Sequence, residues 1–171
     1  MNIVVLLKQF NLEGRHALDL GAGTGHLSLA MANSGASVIS VDKDEVALSK
    51  FSHANITKIS SDVARYVIEP KSFDLIIARN ILPFLGQNLE RVFQNMVIGL
   101  KSDGKLFFSF FGERDEWRSK PNIKCLSENE IIELLKKHGL KVHYQETEEG
   151  IAPTMAGSTK YWHVLSYLLI K

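Results

Sequence analysis

Leu18-Asp19-Leu20-Gly21-Ala22-Gly23-Thr24-Gly25 is the stretch on which the reading of this chain turns. A short apolar run, His16 to Leu20, leads into three glycines and then into Leu27-Ser28-Leu29-Ala30-Met31-Ala32, a helical pattern that ends near Gly35. Glycines between a strand and a helix permit a tight turn and let a ligand approach the backbone closely. The spacing separates this loop from the dinucleotide fingerprint G-x-G-x-x-G. That pattern, begun at Gly21, needs glycine at position 26, where His26 stands. What is present is D-x-G-x-G-x-G. A carboxylate at Asp19 repels a pyrophosphate and suits a ligand that carries an ammonium group.

Working outward, short apolar runs alternate with helical patterns. Val38 to Val41 reads as a second strand, Asp44 to Phe51 as a short helix, and Ile56 to Ser60 as a third strand. Phe73 to Ala78 is apolar on both faces through Leu75-Ile76-Ile77, as a strand buried within a parallel sheet should be. Leu89, Val92, Phe93, Met96, Val97 and Leu100 recur at three- and four-residue spacing and predict a helix with one buried stripe. Lys101-Ser102-Asp103-Gly104 reads as a turn before a fifth strand, Leu106 to Phe111. Ser127 and Glu130 form an S-x-x-E capping box, with Leu126 and Ile131 as its hydrophobic staple, and Gly139 ends that helix. Leu140 to Tyr144 and Trp162 to Ile170 are the last two strands. The alternation predicts an α/β fold: a mostly parallel sheet with helices on both faces.

Composition bounds the rest. A chain of 171 residues, 45% hydrophobic and 23% charged, fits one globular domain spanning 1–171. The 20 Lys and Arg balance 19 Asp and Glu, which leaves no field to draw a nucleic acid or an anionic membrane. The single cysteine, Cys125, excludes an internal disulfide and a thiolate metal cluster, and no metal site is expected. No apolar run approaches the ~20 residues that span a bilayer. The opening Met1 to Lys8 lacks a basic start and a small-residue cleavage site, so the expected location is cytoplasmic.

The carboxyl ends of the predicted strands carry further acidic and polar groups. Asp42 ends the second strand, where a carboxylate can accept both hydroxyls of a ribose. Asp62, beside Val63, follows the third strand, where it can accept from an adenine amino group or cap a turn. Asn80 follows the fourth strand. Open α/β sheets bind ligands at these ends.

With those motifs in place, the chain resembles the class I S-adenosylmethionine-dependent methyltransferases from about Leu18 to Lys171. Phe110 to Trp117 and Tyr161-Trp162-His163-Val164 are similar to the small tellurite-resistance-type branch. The resemblance implies a Rossmann-like, doubly wound, seven-stranded sheet with an antiparallel last strand. It implies S-adenosyl-L-methionine as cofactor, held by Asp19, Gly21, Ala22, Gly23, Gly25, Asp42, Lys43, Asp62, Val63 and Asn80. Phe84, Trp117 and His163 are the candidate substrate residues.

Methyl transfer from a sulfonium needs alignment and exclusion of water, with a base only where the acceptor must lose a proton. No catalytic residue is therefore named. Asn80 is followed by Ile81-Leu82-Pro83-Phe84 rather than the Pro-Pro-Tyr/Phe loop common in methylation of base amino groups, and Cys125 is not on that loop. A small-molecule acceptor, including a metalloid oxyanion, is the expected partner. The three segments expected at its mouth are Asn80 to Phe84, Gly112 to Trp117, and a loop from Gly150 to Lys160. Asp74 is read as structural, His26 as a residue of the first turn facing the pocket, and His138 as a helix C-terminal group. His163 is either a substrate group or a packed one, and Trp117 either overhangs the methyl donor or tucks against the body. The rival functions are a nicotinamide-dependent oxidoreductase and a non-catalytic S-adenosylmethionine-binding module.

Overall fold

In the computed structural model, which describes residues 3, 7, 9–154 and 156–171, the strands lie side by side in one seven-stranded sheet. They are β1 (His16–Leu20), β2 (Ser37–Asp42), β3 (Ile56–Ser60), β4 (Phe73–Ala78), β5 (Leu100–Phe111), β6 (Lys141–Pro153) and β7 (Thr159–Ile170). Their spatial order is β3-β2-β1-β4-β5-β7-β6. The first five run parallel, while β7 is antiparallel to both β5 and β6. The helices are α1 (His26–Asn33), α2 (Glu45–Ser49), α3 (Leu89–Gly99) and α4 (Glu128–Lys137). From β1 the chain winds outward through β2 and β3, then returns to place β4 on the other side. That reversal opens a crevice at the carboxyl ends of β1 and β4.

Period-two alternation sorts the core into two halves. Leu18, Ile76, Leu106 and Phe108 face one side, where α3 buries Leu89, Val92, Phe93 and Met96 and α4 buries Ile131 and Leu135. Ala17, Leu75, Ile77 and Phe107 face the other, against Leu27, Met31 and Ala32 of α1. Residues of β1 and β4 are almost wholly buried because helices cover both faces. Of the opening stretch Met1 to Lys8, only Ile3 and Leu7 are described, both in this second core. The capping box of α4 is complete, with the Glu130 carboxylate accepting from the Ser127 backbone and the Ser127 hydroxyl accepting from Glu130 N–H. Leu126 and Ile131 are buried in the same core. Among the described residues no helix is long and apolar enough to cross a membrane.

Two expectations are corrected. Lys101 to Gly104 is not a turn ahead of β5 but an irregularity within it. Phe73 pairs with Leu100 and Leu75 with Lys105, so the four residues Lys101 to Gly104 of β5 stand opposite the single Asp74 of β4. Asp103 absorbs the excess with a φ of 62°, and a side chain at Gly104 would press its Cβ to 2.9 Å from the Lys101 carbonyl. The Gly150 to Lys160 segment is not a loop. β6 runs through Gly150 to Pro153 and β7 starts at Thr159, with Pro153 opposite Thr159. Ladder pairing with β7 carries β6 past Gly150, whose φ is 148°. Only residues 154–158 connect the two strands, and Met155 is outside the described residues.

Candidate active site

The glycine loop follows β1 and is tied to the end of β2. Val41 O accepts from Gly21 N–H at 2.8 Å and from Ala22 N–H at 3.1 Å. Asp42 braces the next turn: Oδ2 accepts from Gly23 N–H at 2.8 Å and Oδ1 from Asp44 N–H at 2.9 Å. Each carboxylate oxygen thus keeps one acceptor direction for an outside donor. Asp44 in turn caps α2 by accepting from Ala47 N–H.

Asp19 is the buried anion of the site, 2% exposed. Its Oδ2 accepts from the Ser28 hydroxyl at 2.6 Å, and Ser28 accepts from Ser40 at 2.7 Å. Burial pushes its carboxyl up to about 6. The hydrogen bonds from Ser28 oppose that rise, and the nearby Asp42 charge adds to it.

At the end of β4, Asn80 has a left-handed backbone with φ 56°, a conformation that asparagine tolerates better than most residues. It lines both of two adjoining cavities. One, of about 530 Å³, is walled by Asp19, Gly21, Ala22, Gly23, Asp42, Lys43 and Asn80, with Phe84 at its rim. The other, of about 370 Å³, lies against the β6–β7 hairpin and is lined by Glu148, Glu149, Ile151, Trp162 and Val164. Arg79 and Asn80 belong to both. His26 also faces the larger cleft. Thr24, Leu27, Asp44, Ala47 and Arg79 line it as well, beyond the residues expected from sequence, and so does Ile81 of the expected Asn80 to Phe84 segment. Thr24 lies inside the glycine loop and Arg79 beside Asn80, so adjacency was the available signal. Ala47 carried none.

Gly25, Asp62 and Val63 lie outside the cleft wall. Gly25 is left-handed at φ 79°, and a Cβ there would sit 2.3 Å from the Phe51 ring, so its lack of a side chain serves packing. Val63 is buried in the core. Asp62 caps its own turn, with Oδ1 accepting from Ala64 N–H at 2.8 Å. Asp74, beyond the far end of the cleft, accepts from Arg15, Lys101 and His16 N–H, as its structural reading expects.

The structure does not bring His163 or Trp117 to the larger cleft. His163 is buried, with Nδ1 accepting from Arg114 N–H at 3.1 Å, and a Cβ on Gly112 would meet its ring at 2.2 Å. Trp117, half-buried, packs edge-on against Phe84 at 6.2 Å between centroids. Beside them, Glu149 accepts from Arg114 and from the Tyr161 hydroxyl, which hold its carboxyl down at about 2.

Comparison with known proteins follows the same geometry. A family model described as "Methyltransferase domain" matches residues 18–108, more than half of the chain. The chain is 35% identical over 109 residues to a ubiquinone biosynthesis O-methyltransferase of Coxiella burnetii, covering 60% of this chain and 46% of that protein. It is 31% identical over 137 residues to a ribosomal protein L11 methyltransferase of Leptospira interrogans, covering 74% and 39%. The chain thus spans less than half the length of these relatives. TehB from Haemophilus influenzae has the same fold, with a TM-score of 0.82 at 19% identity over 100% of this chain and 62% of that one. By the family match and the sheet order together, the chain belongs to the methyltransferase domain family and has the class I S-adenosylmethionine-dependent fold.

Proposed function

We propose that the chain transfers the methyl group of S-adenosylmethionine to a small-molecule acceptor. The donor lies in the cleft beside Asp19, and the acceptor lies in the hollow under the β6–β7 hairpin. One observation carries this reading: two cavities of ligand size meet at Arg79 and Asn80. Such a junction lets a nucleophile in one address a methyl group in the other.

When bound, S-adenosylmethionine supplies an activated methyl on a sulfonium. The chain's own residues do the rest. Asp19 faces the ammonium group of the donor, and ionised it gains what burial costs it. Asp42 accepts the ribose hydroxyls on the two directions left free by Gly23 and Asp44 N–H. Gly21, Ala22, Gly23 and Lys43 form the wall along which the nucleoside lies. Asp62 lies outside the cleft wall, so the adenine end must extend past that wall for Asp62 to take its amino group; Val63 backs that turn from the core, and Gly25 shapes the loop without contact. Asn80 holds the junction, and Phe84 with Trp117 closes it against water.

By their names, one of the relatives given above is an O-methyltransferase of ubiquinone biosynthesis and the other a methyltransferase of ribosomal protein L11. The small size of the hollow, about 370 Å³, favours the small molecule. The resemblance of Phe110 to Trp117 and Tyr161 to Val164 to the tellurite-resistance-type branch adds a metalloid oxyanion to the acceptors worth testing, and Arg79 is the cation that would meet it.

The experiment is calorimetric titration with S-adenosylmethionine, S-adenosylhomocysteine and NAD. Transfer of a labelled methyl to selenite, catechol and a lysine-bearing peptide follows. Binding of the first two ligands and label on a small molecule are expected. Binding of NAD alone overturns the donor assignment, label only on the peptide overturns the acceptor class, and donor binding without any transfer favours the non-catalytic module.

A further inference from the structure

Asp115 and Lys160 form an ion pair shut off from water, their side chains 0% and 1% exposed. Asp115 Oδ1 accepts from the Lys160 ammonium and from Trp117 N–H at 2.9 Å, while Oδ2 accepts from His163 N–H at 3.1 Å. The ammonium lies 3.8 Å from the centroid of a Trp162 ring, 4.7 Å from Trp117 and 5.0 Å from Phe111. Those rings also touch one another, at 5.6 Å between Trp117 and Trp162 and 5.4 Å between Phe111 and Trp162. Phe84 joins them through Phe111 at 5.8 Å.

Stability alone is a poor account of this arrangement, because a buried ion pair seldom outperforms well-packed apolar groups. Its distinctive product is geometry. A cation among aromatic faces fixes their direction as well as their distance. The rings so fixed reach both cavities: Trp162 lines the hollow, and Phe84, packed on Phe111 and Trp117, lines the donor cleft. Asp115 begins the helical turn Glu116–Ser119 that carries Trp117, and Lys160 is in β7, so the pair joins that turn to the hairpin.

We propose that Lys160 and Asp115 are positioning residues, which pin the Phe84–Trp117–Trp162 wall between the two cavities so that donor and acceptor meet out of water. This rests on the methyl-transfer reading given above. The pair touches neither reactant; it acts through the rings.

Trp117 and Trp162 are the two tryptophans of the chain, so its intrinsic fluorescence reports this wall directly. The Lys160→Met/Asp115→Asn double variant removes both charges while keeping side-chain length. It should bind S-adenosylhomocysteine within twofold of wild type. Acrylamide should quench its tryptophans at least twice as effectively, and its kcat with selenite or catechol should fall tenfold at unchanged KM for S-adenosylmethionine. Lys160→Arg, which keeps the cation and the pairing, should restore both. Unchanged quenching overturns the proposal, and so does a loosened wall with undiminished kcat. If the double variant does not fold, Trp162→Phe leaves Trp117 as sole reporter. Its quenching should be at least threefold weaker than that of free N-acetyltryptophanamide, and equal quenching overturns the proposal. Wild-type protein that methylates neither probe refutes the small-molecule reading instead, while the quenching contrast still decides whether the pair holds the wall.

Discussion

The Ser109 hydroxyl grips Asn80 twice, accepting from its backbone N–H at 2.8 Å and donating to its side-chain Oδ1 at 2.8 Å. Ser109 is fully buried in β5, whereas Asn80 stands at the junction of the two cavities with a left-handed backbone. A strained conformation persists only where its surroundings over-determine it. Here the neighbouring strand supplies that restraint.

Ser109→Ala should therefore cost about 1 kcal/mol, because the Asn80 N–H left without an acceptor is only half-buried. Donor affinity should fall with it, because Asn80 and the adjoining Arg79 lose their fixed place. Urea unfolding and titration with S-adenosylmethionine check both. Wild-type affinity together with lost stability would mean that the clamp serves the fold alone.

Asp42→Ala should weaken donor binding roughly ten- to hundredfold. On the proposed donor pose, two charge-assisted bonds to the ribose go with it, each worth on the order of 1.5–3 kcal/mol before solvent compensation. The same change frees Gly23 and Asp44 N–H, so part of the loss will come from a slack loop. A change under twofold on titration would leave Asp42 as a loop brace without a ligand role.

Asp19 makes the apo protein sensitive to pH. Its carboxyl titrates near 6 in the fold against 3.8 when unfolded, so the native state holds the extra proton between those values. Stability contributed by the protonated form is complete below about pH 4 and is lost as pH rises to about 6. At pH 7 the buried charge costs about 3 kcal/mol. Asp19→Asn should raise apo stability at pH 7 by up to about that amount and change little at pH 4. A cationic ligand reverses the preference, so donor affinity should increase from pH 5 to 7 with proton release at pH 5.5. Calorimetry in buffers of different ionisation enthalpy reads that proton; a flat pH profile would exclude the ammonium contact.

The glycines of the loop should separate into two kinds. Gly25→Ala places a Cβ against the Phe51 ring at a left-handed backbone position, and a loss of about 1–3 kcal/mol in stability is expected. Gly23→Val should leave a folded chain that no longer binds S-adenosylmethionine. Thermal melts and titration of both variants distinguish the effects. A Gly23→Val protein with normal affinity contradicts the donor map.

Trp117→Ala should leave donor affinity nearly intact and lower turnover, since the ring reaches the cleft only through Phe84. Lost donor binding with undiminished turnover at saturating donor would put Trp117 in the donor site instead.

What was legible in the sequence was local or periodic. The glycine loop, Asp42, the α3 stripe and the α4 capping box each announce themselves within a few residues, and the sheet follows from their alternation. The extent of β6 was hidden because Gly150 and Pro153 read as loop residues until the β7 ladder pairs with them. The packing role of Gly25 depends on Phe51, which sequence spacing does not bring near. The Asp115–Lys160 pair was the least visible. Asp115 lies in the Phe110 to Trp117 stretch with no role of its own legible there, Lys160 is far from it in the chain, and an acidic and a basic residue normally read as solvated surface.

The placement of β7 between β5 and β6 also governs how this domain can be made. Until Thr159–Ile170 leaves the ribosome, β5 presents the open edge of Lys105–Phe111, rich in phenylalanine, with no strand to cover it. Such an edge is a template for pairing with another nascent chain. Synthesis interrupted within β7 should therefore yield aggregates rather than a weakened enzyme, and a stall there would expose a surface that chaperones recognise.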